Sequence, residues 1–128
     1  RNSVMFGPAG HLYVYLSYGM HQCANVVTGR MGSGQAVLIR AVEPVDGVDV
    51  MRTRRGGRPD RDLTNGPGKV CQAMGIGTQH DGMDVTAFES VQLIDDGVAP
   101  PAPPIVGPRI GLSRGIDTPW RFRSVSVR

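Results

Sequence analysis

The stretch HLYVYLSYGMHQCANVV, residues 11–27, decides the fold of this chain. Between residues 12 and 17, Tyr13 and Tyr15 share one face of an extended strand and three aliphatic side chains share the other. Residues 20–27 form a second strand-like run. The two runs predict an antiparallel hairpin that is covered on both faces.

The predicted tip of this hairpin is Tyr18-Gly19. Hairpin tips face water and often require a positive φ, so Asn, Asp, Gly or Ser usually occupies them. A Tyr at the tip gains little from folding and leaves apolar area in water. Tyr18 is therefore predicted to enter a binding partner.

Size and composition favour one domain, residues 1–128, built from short elements. The chain has 18 Gly and 10 Pro, which indicates many turns. Cys23 and Cys71 have no CxxC spacing, which favours a reduced cytosolic chain over a disulfide. No apolar run reaches the length of a membrane span, and no signal peptide is evident.

The formal net charge of +3 is mild. It is compatible with ordinary surface charge, or with a polyanionic partner. Lys69 is the only Lys in the chain, and the other side-chain cations are Arg, which suits bidentate phosphate contact.

Weaker patterns predict the remaining elements. Residues 36–42 are predicted to be a third strand, Glu43-Pro44 a helix entrance, and the Arg-rich residues 53–65 a solvated loop. A second helix is predicted to open at residues 65–69 and to end at Gly75 and Gly77. Residues 91–94, 109–112 and 120–127 are predicted strands, and the Pro-rich residues 99–108 an extended connection.

Five residues are candidates for function. Gly68 and Lys69 open a helix, where free N–H groups and one ammonium suit a phosphate, although Gly-Pro is also common helix punctuation. Arg40 lies inside an apolar run and requires either a structural ion pair or a polar cavity. Asn25 could read a base edge or bond to the backbone. Tyr15 is by default a core residue. No metal-ligand spacing or nucleophile motif accompanies them.

With these residues identified, the chain resembles the alkyladenine/3-methyladenine DNA glycosylase family, the single-domain type of bacteria and animals. The resemblance depends on an ordered series of blocks: RNSVMFGPAGHLYVYLSYGM at 1–20, CANV at 23–26, AVLIRAVEP at 36–44, MR at 51–52, NGPGKVCQA at 65–73, PRIG at 108–111 and PWRF at 119–122. Together these blocks extend over nearly the whole chain.

The resemblance implies an enzyme of base excision repair that hydrolyses the N-glycosidic bond of alkylated or deaminated purines, of the 3-methyladenine and hypoxanthine type, without metal or cofactor. The damaged nucleotide rotates out of the duplex into a pocket. By resemblance, Tyr15 lines that pocket, and Asn25 excludes normal guanine by crowding its exocyclic amine. Arg40 positions the attacking water.

The same resemblance implies how the protein holds DNA. Tyr18 fills the gap left by the rotated nucleotide, Met5 lies against the duplex near that wedge, and Lys69 with Gly68 holds a backbone phosphate. The implied partner is double-stranded DNA with a damaged purine, approached from the minor groove. The protein is expected to be a monomer, cytoplasmic and nucleoid-associated, with no membrane contact.

The implied fold is α+β: a curved, mainly antiparallel sheet, resembling the barrel of formyltransferase carboxy-terminal domains, with surrounding helices and a protruding hairpin. Family members carry the general-base Glu in an E-A-Y motif and a stacking His in an A-A-H-S motif before the region matched here. The chain is therefore expected to be an amino-terminally truncated glycosylase domain that excises poorly alone. The carboxy-terminal R-S-V-S-V segment is also shorter than the family pattern.

Two other classes remain open. One is a damaged-DNA-binding module without catalysis, which the absent Glu favours. The other is an RNA-binding domain of the formyltransferase carboxy-terminal type, against which the YGM and RAxEP blocks argue.

Overall fold

A computed structural model describes residues 3–100, 102–110 and 118–124. The chain divides into two compact units, Arg1–Ile94 and Asp95–Arg128. The strands are β1 (Leu12–Ser17), β2 (His21–Thr28), β3 (Gln35–Leu38), β4 (Ile105–Gly107) and β5 (Arg121–Arg123); the α-helices are α1 (Val48–Arg54) and α2 (Pro67–Met74); and short 3-10 helices span Ser3–Phe6, Asp60–Asp62 and Thr78–His80. No helix in these described ranges is long and apolar enough to cross a membrane.

The predicted hairpin is confirmed. Strands β1 and β2 pair antiparallel, with Leu12 opposite Val26 and Ser17 opposite His21. Strand β3 pairs antiparallel with the other edge of β2, where Asn25 lies opposite Leu38. The first unit thus contains a three-stranded sheet with β2 at its centre.

Both faces of the hairpin are covered, as the alternation predicted. One face carries Leu12, Val14 and Ala24, which pack against Cys71 of α2 and Val85. The opposite face carries Tyr13 and Asn25, which lie directly across from each other and are both 8% exposed. Opposed residues of an antiparallel pair share a face, so this second face combines aromatic and polar side chains.

Helix α2 follows the predicted signals. Pro67 occupies its first turn, and Gly75 ends it at φ 69, a left-handed conformation that favours Gly. The predicted entrance of the first helix is wrong by four residues, because α1 begins at Val48 rather than at Glu43-Pro44. Gly47 has φ 74, so the helix cannot extend back through that residue.

The predicted solvated loop at residues 53–65 is only partly correct. Leu63 is fully buried in a cluster with Met51 of α1 and Ala73 of α2. Thr64 is also buried, and its hydroxyl donates to the carbonyl of Val42 at 2.6 Å. The end of this segment therefore packs against both α1 and α2.

Several strand predictions need correction. Strand β3 ends at Leu38 rather than at residue 42. Residues 91–94 are not a strand: the N–H of Leu93 donates to the carbonyl of Val85, but no ladder of bonds continues along this segment within the described residues, and Leu93 is 57% exposed. Strand β4 lies within the Pro-rich connection and pairs antiparallel with β5. The predicted strands 109–112 and 120–127 extend outside the described residues; within them, only Arg121–Arg123 is a strand.

The α+β class with antiparallel pairing is confirmed, but the formyltransferase-like barrel is not. In the described residues the three-stranded sheet is open, and β4 and β5 form a separate two-stranded sheet. A barrel closes only when enough tilted strands surround an axis, and β3 has only four residues. That all 128 residues form one domain stays a prediction, since each of the two units is compact by itself.

Candidate functional site

Tyr18 occupies a strained turn. Its φ is 51°, and it is the only non-Gly residue with positive φ in the described parts of the chain. Gly19 follows at φ 68, and the N–H of Met20 donates to the carbonyl of Ser17 at 3.0 Å. A left-handed conformation costs a non-Gly residue about 1–2 kcal/mol, and the Tyr18 side chain is 90% exposed. Folding alone gives no reason for a Tyr at this position.

The residues on either side extend this apolar surface. Leu16 is 44% exposed and Met20 is 74% exposed. Together with Tyr18 they form a surface that we call the hairpin tip. Neither Leu16 nor Met20 was predicted as a site residue, although both lie within two residues of Tyr18 in the sequence.

Tyr15 and Asn25 lie on the same face of the sheet. The rings of Tyr13 and Tyr15 are 5.3 Å apart between centroids, and Tyr15 is half-buried opposite Cys23. The Asn25 amide nitrogen donates to the carbonyl of Tyr13 at 3.2 Å. Asn25 therefore bonds to the backbone, which is one of its two predicted alternatives. The same bond fixes the orientation of the Asn25 amide.

Arg40 lies two residues beyond the end of β3. The N–H of Ile39 donates to the carbonyl of Ala24 at 3.0 Å, so the chain still follows β2 when it reaches Arg40. Arg40 is half-buried, and no carboxylate of the described residues lies at ion-pair distance from it. The structural ion pair, one of the two alternatives for Arg40, is therefore not seen in this part of the chain.

The first turn of α2 lies against the end of the hairpin that is next to its turn. A β-carbon added at Gly68 would lie 3.0 Å from the β-carbon of His21, the first residue of β2. Only a Gly permits this approach without displacing a neighbour. The contact places Gly68 and Lys69 next to the strand that begins three residues after Tyr18.

Lys69 already has partners inside the protein. Its Nζ donates to Oδ1 of Asp62 at 2.7 Å and to Oδ1 of Asn65 at 2.9 Å. The hydrogen bond from Lys69 holds the pKa of Asp62 below its usual value, with further lowering by the charge of Lys69, by Asn65 and by Arg55. Asp62 was not predicted as a site residue, since it lies seven positions before Lys69, on the other side of a turn.

The Arg residues around this cluster have different roles. Arg52 pairs with Asp49 and Asp60, and Arg54 donates to the carbonyl of Ala73 at 3.1 Å, near the end of α2. Arg58 and Arg61 are exposed, and neither has an ion-pair partner within the described residues. These last two cations are available to a polyanion.

Met5 lies on the 3-10 helix Ser3–Phe6, which packs against all three strands of the sheet. Met5 is half-buried, and the carbonyl of the next residue, Phe6, accepts from the N–H of Gly32 at 2.7 Å. The proposed contact of Met5 with a duplex stays a prediction.

Comparisons of the chain with a family model and with known proteins all indicate the same family. The family model described as methylpurine-DNA glycosylase matches residues 1–126. A Burkholderia lata protein named “Putative 3-methyladenine DNA glycosylase” is 54% identical over 124 residues, which are 95% of this chain and 60% of that protein. Proteins of the same name from Nitrosospira multiformis and Carboxydothermus hydrogenoformans are 49% and 47% identical, with 62% and 64% of their lengths covered.

The chain thus spans about 60% of the length of the first of these relatives. The family match includes every residue of the hairpin, the Arg40 segment and α2. The chain belongs to the methylpurine-DNA glycosylase family.

Proposed function

We propose that this protein acts in base excision repair as a DNA glycosylase that hydrolyses the N-glycosidic bond of alkylated or deaminated purines in duplex DNA. One observation carries the proposal: a Tyr is held at positive φ on an exposed hairpin tip. Backbone strain of this kind occurs at functional sites, where the surrounding structure maintains it. Membership in the methylpurine-DNA glycosylase family supports a role in DNA binding for this strained Tyr.

Tyr18 acts as the wedge in this proposal. An aromatic ring inserted between base pairs replaces the stacking lost when a nucleotide rotates out of the helix. The exposed apolar side chains of Leu16 and Met20 suit the same minor-groove approach. A duplex would cover apolar area that the free protein leaves in water.

Tyr15 and Asn25 contribute to recognition of the rotated purine. A half-buried aromatic face suits stacking on a planar base, and the fixed amide of Asn25 suits exclusion of the exocyclic amine of normal guanine. Both lie on the face of β1 and β2 opposite α2. That face has the mixed apolar and polar character that small-molecule sites have.

Arg40 and Lys69 supply positive charge. With no carboxylate partner among the described residues, Arg40 keeps its guanidinium donors for a water or for the phosphate of the rotated nucleotide. Lys69, with Gly68 beside it, holds a backbone phosphate at the first turn of α2, and Met5 lies against the duplex.

Binding to a duplex that contains one ethenoadenine tests the wedge. We expect this duplex to bind more tightly than the matched undamaged duplex, with a change in ethenoadenine fluorescence as the base leaves the stack. Tyr18→Ala should remove most of the fluorescence change and the lesion preference, while weak salt-dependent binding to undamaged DNA remains. Single-turnover release of hypoxanthine or ethenoadenine from the same duplexes measures excision.

Phe88→Ala is the matched control, because Phe88 is an aromatic residue that is 96% exposed and lies outside the hairpin. It should leave both signals unchanged. Full lesion preference in Tyr18→Ala would refute the wedge, and lesion binding without any base release would favour a damaged-DNA-binding module.

A further inference from the structure

The ammonium of Lys69 is held by the protein before any ligand arrives. An ammonium has three N–H donors, and two of those on Lys69 are used by Asp62 and Asn65 at 2.7 and 2.9 Å. The side chain remains 38% exposed. One donor therefore stays available on an ammonium whose position is fixed by two partners.

Asp62 is itself anchored. Arg55, whose side chain is only 10% exposed, donates to the backbone carbonyl of Asp62 at 3.2 Å and lies 3.9 Å from its carboxylate. The next residue, Leu63, is fully buried between the two helices. The carboxylate that holds Lys69 thus belongs to a segment fixed to the core.

We propose that Asp62 is a positioning residue for phosphate binding: it fixes the Lys69 ammonium beside the first turn of α2, so that one N–H donor is ready for a DNA backbone phosphate. This inference is based on the proposed function, in which Lys69 holds such a phosphate. Asp62 does not touch the DNA, and it acts only through Lys69.

Two opposing effects make the inference testable. A free Lys loses side-chain entropy when it is immobilised on binding, and prior fixation by Asp62 removes that loss. The negative charge of Asp62 also repels phosphate, so charge alone predicts that its removal tightens binding. Positioning predicts the reverse, and the sign of the measured change distinguishes the two.

Asp62→Asn is the direct test, with duplex affinity measured over a range of salt concentrations. We expect binding to weaken by about three- to tenfold, the effect of immobilising one long side chain, although the net charge rises by one. Asp60→Asn is the matched control. It makes the same charge change two residues away, in an exposed pair with Arg52, and should leave affinity unchanged or raise it.

A double-mutant cycle with Lys69→Ala isolates the coupling. Once Lys69 is absent, Asp62→Asn should no longer weaken binding. Asn65→Ala provides a second route, because it removes the other acceptor of Lys69 without any charge change and should also weaken binding in the presence of Lys69 only. Denaturant unfolding shows whether Asp62→Asn keeps its fold. If it does not, Asn65→Ala takes its place in the test.

The outcomes separate the inference from the proposed function. If Lys69→Ala changes neither duplex affinity nor its salt dependence, the phosphate role of Lys69 fails. If Lys69→Ala weakens binding but Asp62→Asn tightens it equally with and without Lys69, the role of Lys69 stands and the positioning role of Asp62 is refuted.

Discussion

Gly68 on α2 lies so close to His21 on β2 that an added β-carbon would be 3.0 Å from the His21 β-carbon. Real side chains are rarely packed this tightly, and neither atom lies at the end of a flexible chain that could turn away. The approach fixes the first turn of α2 against the turn end of the hairpin. The geometry that brings Tyr18 and Lys69 to neighbouring elements therefore depends on a Gly.

Gly68→Ala should separate α2 from His21 at the turn end of the hairpin. Alanine favours a helix by about 1 kcal/mol over Gly, which offsets part of the steric cost, so we expect a small change in the free energy of unfolding. The displacement should weaken duplex binding by more than this stability change suggests. Affinity and denaturant unfolding, measured on the same preparation, check the prediction.

Gly66→Ala is the control for that variant. A β-carbon at Gly66 would meet only the flexible side chain of Lys69, at 3.6 Å or more, which is ordinary contact. We expect Gly66→Ala to bind DNA nearly as the natural protein does. Equal losses in the two variants would show that the close approach to His21 has no special role.

Tyr18→Gly should stabilise the fold while it removes the wedge. Gly adopts φ 51° without steric cost, so we expect the free energy of unfolding to rise by about 0.5–1 kcal/mol after the entropy of the unfolded Gly is counted. Tyr18→Ala keeps its β-carbon and should show no such gain. Urea unfolding of both variants measures the difference. A loss of stability in Tyr18→Gly would mean that the exposed ring contributes to folding.

The hairpin and α2 could be predicted because their signals are local. Alternating side chains specify a strand pair, and Pro67 and Gly75 mark the two ends of α2. The start of α1 could not be predicted from Glu43-Pro44, since the positive φ of Gly47 interrupts the segment between Pro44 and Val48. Chain direction there depends on backbone geometry that composition does not reveal.

The candidate site was predictable residue by residue, but its connections were not. The exposure of Tyr18 follows from its place at the turn between the two predicted strands. The partner of Lys69 does not, because Asp62 lies in a polar stretch whose only buried aliphatic residue, Leu63, has no periodic pattern around it. Tertiary packing of α1 on α2 brings this segment to Lys69. Such a tertiary contact cannot be predicted from residue patterns in a single sequence.

Leu63→Ala should destabilise the packing of α1 against α2. Leu63 has no exposed surface and packs between the two helices, so truncation leaves a cavity and should cost about 2–5 kcal/mol. Leu93→Ala, at a residue that is 57% exposed, should change stability by less than about 0.5 kcal/mol. Thermal and denaturant unfolding of both variants check the contrast. Similar small losses in both would place Leu63 in a segment that does not support the core.

Arg40→Ala should weaken DNA binding without unfolding the protein. Because no described carboxylate pairs with Arg40, we expect the free energy of unfolding to change by less than about 0.5 kcal/mol. If Arg40 contacts a phosphate, the slope of log affinity against log salt concentration should become shallower by about one. Arg55→Ala is the comparison, since Arg55 is 10% exposed and pairs with Asp62; it should destabilise by about 1–3 kcal/mol. A large stability loss in Arg40→Ala would support a structural role.

Cys71 should make the fold sensitive to alkaline pH. Burial between α2 and the sheet raises the pKa of its thiol from 9.0 to about 11, and the nearby Cys23 adds to the shift. The folded protein therefore keeps the proton at pH values where the unfolded chain releases it, so this contribution to stability is complete below pH 9 and is lost as the pH rises toward 11. Urea unfolding from pH 7 to 11 measures the loss, and Cys71→Ala should show a flatter dependence across the same window. Identical slopes in the two proteins would mean that the thiol ionises alike in the folded and unfolded states.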